Sequence, residues 1–185
     1  MNHWQIRRAA RIVHHGGLIA YPTEAVYGLG CDPLNAAAVQ RLLALKQRPM
    51  DKGLILIAAD LDQLRPFLQP LSAEDEATVL ATWPGPVTWL LPARAETPRW
   101  LRGRHDTLAV RVTDHPLAAA LCRRLGHPLV STSANRSGRQ PARSPLDVRR
   151  QLNHGIDLIL SAPLGKQARP TTIRDLASGR IVRPA

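Results

Sequence analysis

The sequence predicts an α/β domain with a mixed sheet flanked by helices, and the prediction rests on its hydrophobic pattern. Segments with helical periodicity alternate with short apolar runs along the whole chain. The last extended segments follow one another without helices between them, which favours a mixed sheet over a purely parallel one. At 185 residues the chain fits a single core, so we expect one domain spanning 1–185.

The first half of the chain contains helix and strand signals in alternation. The predicted helices are Ile6–His15, Ala36–Lys46 and one that begins after Ser72; the predicted strands are Leu18–Tyr21 and Leu54–Ala58. Val39, Leu42 and Leu43 repeat at helical spacing, and Pro49 prevents that helix from continuing. Ser72 is a good N-cap because three acidic residues follow it in the first turn. The 54–58 run is too short for a core helix and therefore predicts a buried strand.

The second half continues the alternation and ends in extended segments. The predicted strands are Val87–Leu91, Leu108–Val112 and Leu129–Thr132, the predicted helices are Pro116–Leu125 and one that opens at Ser144-Pro145, and short extended pieces lie near Leu158, Ile173 and Ile181. Gly126 is suited to ending a helix, and proline is favoured in the first helical turn. The order of the strands in the sheet does not follow from these patterns.

The charge of the chain indicates polyanionic partners. Its formal net charge is +11, which favours nucleic acid or phosphorylated ligands. Only Lys46, Lys52 and Lys166 are lysines among 25 basic residues, so Lys46 and Lys52 stand out within one loop. Aromatic residues make up only 4%, so any contact with RNA is expected to be made mostly to phosphates.

The sequence lacks the signals of membrane or secreted proteins. No apolar signal segment opens it, and no run of about 18 apolar residues occurs, so we expect a cytoplasmic protein without membrane contact. Cys31 and Cys122 are far apart and outside C-x-x-C spacing, which predicts two reduced, half-buried thiols.

Two loops offer groups that could bind a phosphorylated ligand. The first, 21–30, combines a proline turn, Thr23 and two glycines, and its alternative interpretation is an ordinary turn capped by Thr23. The second places Lys46, Arg48 and Lys52 between a helix and a buried strand, where three cations could hold a triphosphate. Lys46 and Arg48 could instead only complement the end of the helix.

Two strands carry polar groups in informative positions. Hydroxyl and amide side chains at 131–138 follow an apolar strand, at the kind of edge where open α/β sheets bind ligands, although they could also satisfy only their own backbone. Arg111 stands among apolar residues of its strand and must meet an anion. That anion is either a ligand or one of three aspartates, Asp106, Asp114 or Asp175.

Known catalytic signatures are missing from the sequence. It contains no Walker A loop, no dinucleotide glycine fingerprint, no Ser-His-Asp signature and no metal-spaced histidine or cysteine cluster. Covalent catalysis through a protein nucleophile is therefore poorly supported.

Five segments together resemble the YrdC/TsaC family, and most closely its single-domain bacterial type. In chain order they are Tyr-Pro-Thr-Glu-Ala-Val-Tyr-Gly, Lys46-x-Arg48, Trp-Pro-Gly-Pro-Val-Thr, Ala-Val-Arg-Val and Ser-Thr-Ser-Ala-Asn-x-Ser-Gly. Each segment is weak alone, but their order covers nearly the whole chain. The resemblance implies a single YrdC-like domain, a twisted mixed sheet flanked by helices, with a basic concave face that holds ATP and threonine.

The resemblance also implies a reaction. Members of the family join L-threonine, bicarbonate and ATP into threonylcarbamoyl-AMP and pyrophosphate, with Mg²⁺ accompanying ATP. Proteins that transfer the threonylcarbamoyl group to tRNA act downstream, and tRNA or double-stranded RNA is a further expected partner. Lys46 and Arg48 are the expected catalytic residues, and the expected ATP-binding residues are Lys46, Arg48, Lys52, Thr107, Ser133, Asn135 and Arg183.

The same resemblance assigns the threonine site. Thr23, Arg111 and Ser131 are expected to receive L-threonine, with Arg111 binding its carboxylate. Ala25 departs from the family pattern, since many relatives have a second threonine there. One polar contact near the substrate is therefore in question.

Two other functions remain open at this point. The charge of +11 also fits a non-catalytic RNA-binding or ribosome-maturation factor. Carbamoyl adenylation, as in the YrdC-like portion of hydrogenase maturation proteins, is the second alternative. Those chains are far longer and carry zinc-finger cysteines that are missing here.

Overall fold

A nine-stranded sheet runs through the part of the chain that the structure describes. The structure is a computed structural model, and it describes residues 3–152, 154–167 and 171–184. The strand order is β7-β1-β2-β6-β3-β5-β4-β8-β9. The strands are β1 Ile19–Pro22, β2 Tyr27–Gly30, β3 Ile55–Ala58, β4 Val87–Pro92, β5 Thr107–Val112, β6 Leu129–Ser133, β7 Leu158–Ile159, β8 Thr172–Asp175 and β9 Ile181–Arg183.

Six α-helices accompany these strands in the described residues. They are α1 His3–His14, α2 Ala36–Lys46, α3 Ala73–Leu80, α4 Arg99–Arg102, α5 Pro116–Leu125 and α6 Pro145–Leu152. Short 3₁₀ helices occupy Met50–Lys52 and Arg65–Phe67. None of the helices in the described ranges is long and apolar enough to cross a membrane.

The sheet is mixed, as the sequence predicts. β3 and β5 are parallel, whereas β6 runs antiparallel to both β2 and β3. The two last strands, β8 and β9, form an antiparallel pair without a helix between them. The predicted α/β class is therefore confirmed.

Helices α1 and α5 cover only part of one face of the sheet, and this leaves room for a site. Their buried side chains contact Ile57 of β3 and Leu129 of β6, near one end of these strands. Further along these strands the sheet is less covered. Three residues at one register position on neighbouring strands are only half-buried: Ile55 of β3, Ala109 of β5 and Leu90 of β4. Since alternate residues of a strand share a face, Ile55 lies on the same face as Ile57. We call this uncovered region the open face.

The predicted elements agree well with the observed ones, with one clear exception. Both α2 and α5 have the predicted bounds, and the Ser72 side chain caps α3 by accepting from the Asp75 backbone N–H. The prediction of a loop through 21–30 is wrong, because Tyr27–Gly30 forms β2. Glycines usually weaken strands, but a β-carbon at Gly30 would lie 2.7 Å from the Val130 oxygen. Close approach of the backbones explains the glycine there.

The two thiols are more deeply buried than the sequence predicts. Cys31 and Cys122 are free and fully buried, so the half-buried expectation is wrong. Burial, above other causes, raises the pKa of each thiol to about 12.

We expect both thiols to be nearly inert in the native protein. At pH 8 the raised pKa lowers the thiolate fraction by on the order of a thousandfold relative to a free cysteine. Counting alkylated cysteines by mass spectrometry, with and without guanidinium, checks this expectation. Rapid native labelling of either cysteine would contradict it.

Candidate active site

A cavity of about 220 Å³ opens on the open face of the sheet and collects most of the residues that the sequence singles out. Three arginines contribute to its wall, from the loop after α2, from β5 and from β9. The wall includes Thr23, Ala25, Gly28, Arg48, Ile55, Arg111, Ser131, Ser133, Thr171 and Arg183. Guanidinium groups and hydroxyls thus converge from five segments that are distant in sequence.

Arg111 is buried in the wall and paired with a carboxylate. Its Nη2 lies 3.0 Å from Glu24 Oε2, and its Nη1 donates to Thr171 Oγ1 at 2.8 Å. Thr113 Oγ1 donates to the other oxygen of Glu24. Burial acts to raise the pKa of Glu24, but the Arg111 charge and the Thr113 hydrogen bond outweigh it and leave that pKa below its usual value. Glu24 is therefore held as a carboxylate.

The carboxylate partner of Arg111 differs from the sequence-based alternatives. Asp106, Asp114 and Asp175 were the candidates, and the structure shows Glu24 instead. Glu24 is distant from Arg111 along the chain, but the turn between β1 and β2 brings it into contact with Arg111 on β5. The backbone N–H groups of Gly165 and Gln167 donate to the carbonyls of Thr23 and Glu24, and these hydrogen bonds hold the turn in place.

Arg48 and Arg183 complete the basic wall. Arg48 Nη2 donates to the Gly53 carbonyl at 2.9 Å, and Arg183 Nη2 donates to the Thr171 carbonyl at 2.8 Å. Burial lowers the pKa of Arg48, and burial followed by the charges of Arg111 and Arg48 lowers the pKa of Arg183. Three like charges that share one pocket favour the binding of an anion.

Lys46 lies behind the pocket wall rather than in it. Its side chain is buried, and Nζ donates to the carbonyls of Ser133 and Asn135, the latter at 2.9 Å, and to Asn135 Oδ1 at 3.3 Å. Burial, with a smaller effect of Arg48, lowers the pKa of Lys46 to about 8. All three ammonium hydrogens thus have acceptors, and Lys46 connects the end of α2 to the end of β6.

The backbone after α2 separates Lys46 from Arg48. Gln47 adopts the left-handed conformation, with φ of 52°, and ends the helix. The chain reverses there, so the side chain of the last helical residue stays inside while Arg48 reaches the pocket. Lys46 and Arg48 therefore point in different directions although only Gln47 separates them in sequence.

The segment that follows β6 is organised around Asn135. Ser133 Oγ donates to Asn135 Oδ1 at 2.5 Å, and Asn135 Nδ2 donates to the carbonyls of Arg136 and Arg139 at 2.9 and 2.6 Å. Ser133 contributes to the pocket wall, whereas Asn135 is buried beside it. Asn135 therefore shapes the loop, and Ser133 presents a hydroxyl.

The predicted threonine-site residues lie together in the pocket. Thr23, Arg111 and Ser131 all contribute to the wall. A β-carbon at Gly28 would lie 3.3 Å from Thr23 Cγ2 and 3.5 Å from Ser131 Oγ, so the glycine keeps this corner open. Ala25 also lines the cavity, and its methyl group offers no hydrogen-bonding contact there.

Like Lys46 and Asn135, two further predicted ATP-binding residues do not line the pocket. Lys52 is exposed in the 3₁₀ helix that follows Arg48. Thr107 begins β5 and is four residues from Arg111, about 13 Å along the strand. Thr107 shares the open face with Arg111, because residues two and four apart on a strand point the same way.

Sequence reasoning missed three residues of this site. Glu24, Thr113 and Thr171 surround the Arg111 guanidinium, and no role was predicted for any of them. Glu24 stands inside the Tyr-Pro-Thr-Glu segment, so a signal was present. The other two are single threonines beside strands, and only the folded chain brings them to Arg111.

Most of this chain matches a protein-family model. The model is that of the Sua5/YciO/YrdC domain, described as telomere recombination, and it matches residues 11–185. Two curated relatives are named threonylcarbamoyl-AMP synthase. The one from Nitrosococcus oceani is 60% identical over 97% of this chain and 97% of its own, and the one from Halorhodospira halophila is 58% identical over 97% and 94%.

A solved structure with the same fold binds one of the expected substrates. It is P. abyssi Sua5 complexed with L-threonine, with a TM-score of 0.93 and 34% identity. The match covers 100% of this chain and 55% of that one, so this chain spans about half of the length of that relative. Since the family model and both curated relatives cover nearly the whole chain, this protein belongs to the Sua5/YciO/YrdC family.

Proposed function

We propose that this protein is an L-threonylcarbamoyladenylate synthase that forms threonylcarbamoyl-AMP and pyrophosphate from L-threonine, bicarbonate and ATP. The observation that carries the proposal is the pocket wall, in which Arg48, Arg111 and Arg183 converge with several hydroxyls. The chain is 60% identical to a relative that bears the name of this activity.

The proposed chemistry requires charge neutralisation more than a protein nucleophile. The threonine amine attacks bicarbonate, and loss of water leaves a carbamate. A carbamate oxygen then attacks the α-phosphorus of ATP, and pyrophosphate leaves. Both reactants are anionic, so cations that hold them together lower the barrier by positioning and by stabilising the charge that develops.

We place threonine against the β5 side of the pocket. The carboxylate would meet the Arg111 guanidinium, whose pairing with Glu24 and Thr171 fixes its plane. The hydroxyls of Thr23 and Ser131 would contact the rest of the amino acid. Glu24 acts as a positioning residue in this proposal because it touches Arg111 rather than substrate.

We place the phosphates of ATP against Arg48 and Arg183, with the Ser133 hydroxyl nearby. Lys46 and Asn135 would act by holding the loop that presents Ser133, since their own polar groups are engaged with each other. The nucleoside would extend along the open face toward Thr107. Lys52 stays a weaker candidate for a phosphate contact.

Mg²⁺ would enter this pocket as a companion of ATP. Among the described residues there is no group of three histidine, cysteine or acidic side chains that could hold a metal ion. The Glu24 carboxylate, which lies against the wall residue Arg111, is paired with that guanidinium. Because Mg²⁺ prefers phosphate oxygens and water in such sites, the phosphates of ATP would supply most of its ligands.

The remaining parts of the proposal concern partners and place. The product would pass to proteins that transfer the threonylcarbamoyl group to tRNA in the cytoplasm, where ATP and tRNA are available. We take the catalytic domain to span 1–185, with the arginines giving the concave open face its positive charge.

The proposal is tested by pyrophosphate release from the purified protein. We expect release that requires ATP, L-threonine and bicarbonate together, with threonylcarbamoyl-AMP identified by mass spectrometry. Release from ATP with carbamoyl phosphate, but not with threonine and bicarbonate, would support carbamoyl adenylation instead. No release under either condition would favour the non-catalytic RNA-binding alternative.

A further inference from the structure

Thr88 carries a buried hydroxyl beside the candidate active site without contributing to the pocket wall. It lies in β4 and ends the segment Trp-Pro-Gly-Pro-Val-Thr, which takes no part in the proposed binding of substrates. Leu90, two residues further along β4, stands on the open face, so Thr88 lies on this face as well. A polar side chain that is fully buried on the ligand-binding side of the sheet must be held there by a hydrogen bond.

The two strands beside β4 bring Thr88 to the surroundings of Arg111. β4 and β5 are antiparallel, and continuing their register by one step places Thr88 opposite Arg111. On its other side, Thr88 pairs with Ile173 of β8, and Thr171 precedes Ile173 by two residues. Thr88 Oγ1 lies 3.3 Å from Thr171 Oγ1. Thr88 therefore lies between β5 and the segment that leads into β8.

Burial determines which of these two hydroxyls is the donor. Within the described residues, Thr171 Oγ1 is the only hydrogen-bond partner of Thr88 Oγ1. A hydroxyl has one hydrogen and two acceptor lone pairs, and a buried hydrogen without an acceptor is costly. Thr88 therefore donates to Thr171. Because Thr171 Oγ1 also accepts from Arg111 Nη1 at 2.8 Å, both of its acceptor positions are occupied.

This order of hydrogen bonds leaves the hydrogen of Thr171 for the pocket. Thr171 contributes to the wall, and its backbone carbonyl accepts from Arg183 Nη2 at 2.8 Å, so the residue is held between two arginines. With Thr88 as the donor, the Thr171 hydroxyl can turn its hydrogen toward an anion beside the Arg111 guanidinium. Without Thr88, a lone pair of Thr171 is released and the hydroxyl is free to rotate.

We infer that Thr88 is a positioning residue for the threonine site and acts through Thr171 on the Arg111 guanidinium. The inference rests on the proposed function, in which Arg111 binds the threonine carboxylate. Thr88 touches no substrate in this arrangement. It fixes the Thr171 oxygen that holds one amino group of Arg111, while Glu24 holds the other. Substrate binding then finds the guanidinium already oriented, which lowers the cost of binding.

The test removes the Thr88 hydroxyl from the full-length protein and keeps the shape of the side chain. Thr88→Val is nearly isosteric, and Thr88→Ser restores the hydroxyl. The matched control is Thr97→Val, since Thr97 is also buried, lies outside the pocket wall and donates to the Phe67 carbonyl at 2.7 Å. In both valine variants the acceptor keeps a second donor, so no buried oxygen is left unpaired.

We expect Thr88→Val to raise the KM for threonine about three- to tenfold, which is the effect of one lost hydrogen bond. The kcat at saturating threonine should stay within about twofold of the wild type, because ground-state and transition-state binding weaken together. Calorimetry with L-threonine should show the same loss of affinity, and calorimetry with ATP should show none. Thr88→Ser should recover most of the threonine affinity. Thr97→Val should lower the melting temperature about as much as Thr88→Val but leave the threonine KM unchanged.

A double-mutant cycle tests whether Thr88 acts through Thr171. Thr171→Val should raise the KM for threonine at least as much as Thr88→Val does. Adding Thr88→Val to Thr171→Val should raise it no further, because the group through which Thr88 acts is already missing.

The outcomes separate this inference from the proposed function. An unchanged threonine KM in Thr88→Val would overturn the inference alone, provided that the wild type releases pyrophosphate with threonine. Losses that multiply in the double variant would also overturn it, as would an equal loss of threonine affinity in Thr97→Val. A wild-type protein that neither binds L-threonine in calorimetry nor releases pyrophosphate with it would refute the proposed function, and the inference with it.

Discussion

Replacing Arg111 by alanine is expected to lower the free energy of unfolding by about 3–5 kcal/mol, because it leaves the buried Glu24 carboxylate unpaired. The same change should raise the KM for threonine at least about tenfold, since a lost charge-assisted contact costs about 1.5–3 kcal/mol. Direct binding of ATP should stay near that of the wild type, because other arginines hold the phosphates in our proposal. Thermal unfolding, calorimetry with ATP and steady-state kinetics measure the three quantities.

A double variant separates the structural role of Arg111 from its role toward substrate. Arg111→Gln/Glu24→Gln replaces the buried ion pair by two neutral amides, so most of the lost stability should return. The KM for threonine should stay raised, because the cation is still missing. Glu24→Gln alone should destabilise the protein and raise the KM for threonine less than Arg111→Ala does, because the cation is kept but is held less firmly. A double variant with normal stability and a normal threonine KM would show that Arg111 does not bind substrate.

The Arg111 site illustrates what the sequence could and could not predict. A strand-centre arginine among apolar residues must meet an anion, and this was predictable from Leu108, Val110 and Val112 alone. The identity of the partner was not, because Glu24 reaches β5 only through the turn between β1 and β2. That turn is held by the segment around Gly165, over 100 residues later. Contacts of this kind depend on tertiary structure and leave no local pattern.

The fold shows the same division between local and long-range information. Capping and periodicity predicted α2, α3 and α5 because these signals lie within a few neighbouring residues. β2 was missed because Tyr-Gly-Leu-Gly resembles a turn, and its strand conformation comes from pairing with β1 and β6. Strand order likewise depends on which segments meet in space.

The interpretation of Lys46 leads to the second large expected effect. Lys46→Ala removes the donor of three hydrogen bonds to Ser133 and Asn135, all of them in the interior. The Ser133 carbonyl would keep the Asn135 N–H as a donor and Asn135 Oδ1 would keep the Ser133 hydroxyl, but the buried Asn135 carbonyl would lose the Lys46 donor, which should lower the free energy of unfolding by about 1–3 kcal/mol. ATP binding should weaken by about 1.5–3 kcal/mol as well, because the loop that presents Ser133 is no longer held.

The joint loss of stability and of ATP affinity is what distinguishes a positioning lysine from a direct phosphate ligand. A lysine that contacts phosphate is solvated in the free protein, so its removal would weaken ATP binding without lowering the melting temperature. Lys52→Ala is the matched control, since Lys52 is exposed in the same loop, and it should leave stability unchanged. Lys46→Met, which keeps the length of the side chain but not its charge, should resemble Lys46→Ala in both measurements. If Lys46→Ala instead keeps the wild-type melting temperature and loses only ATP affinity, Lys46 contacts phosphate directly when ATP is bound, and the carbonyl contacts describe the unliganded protein alone.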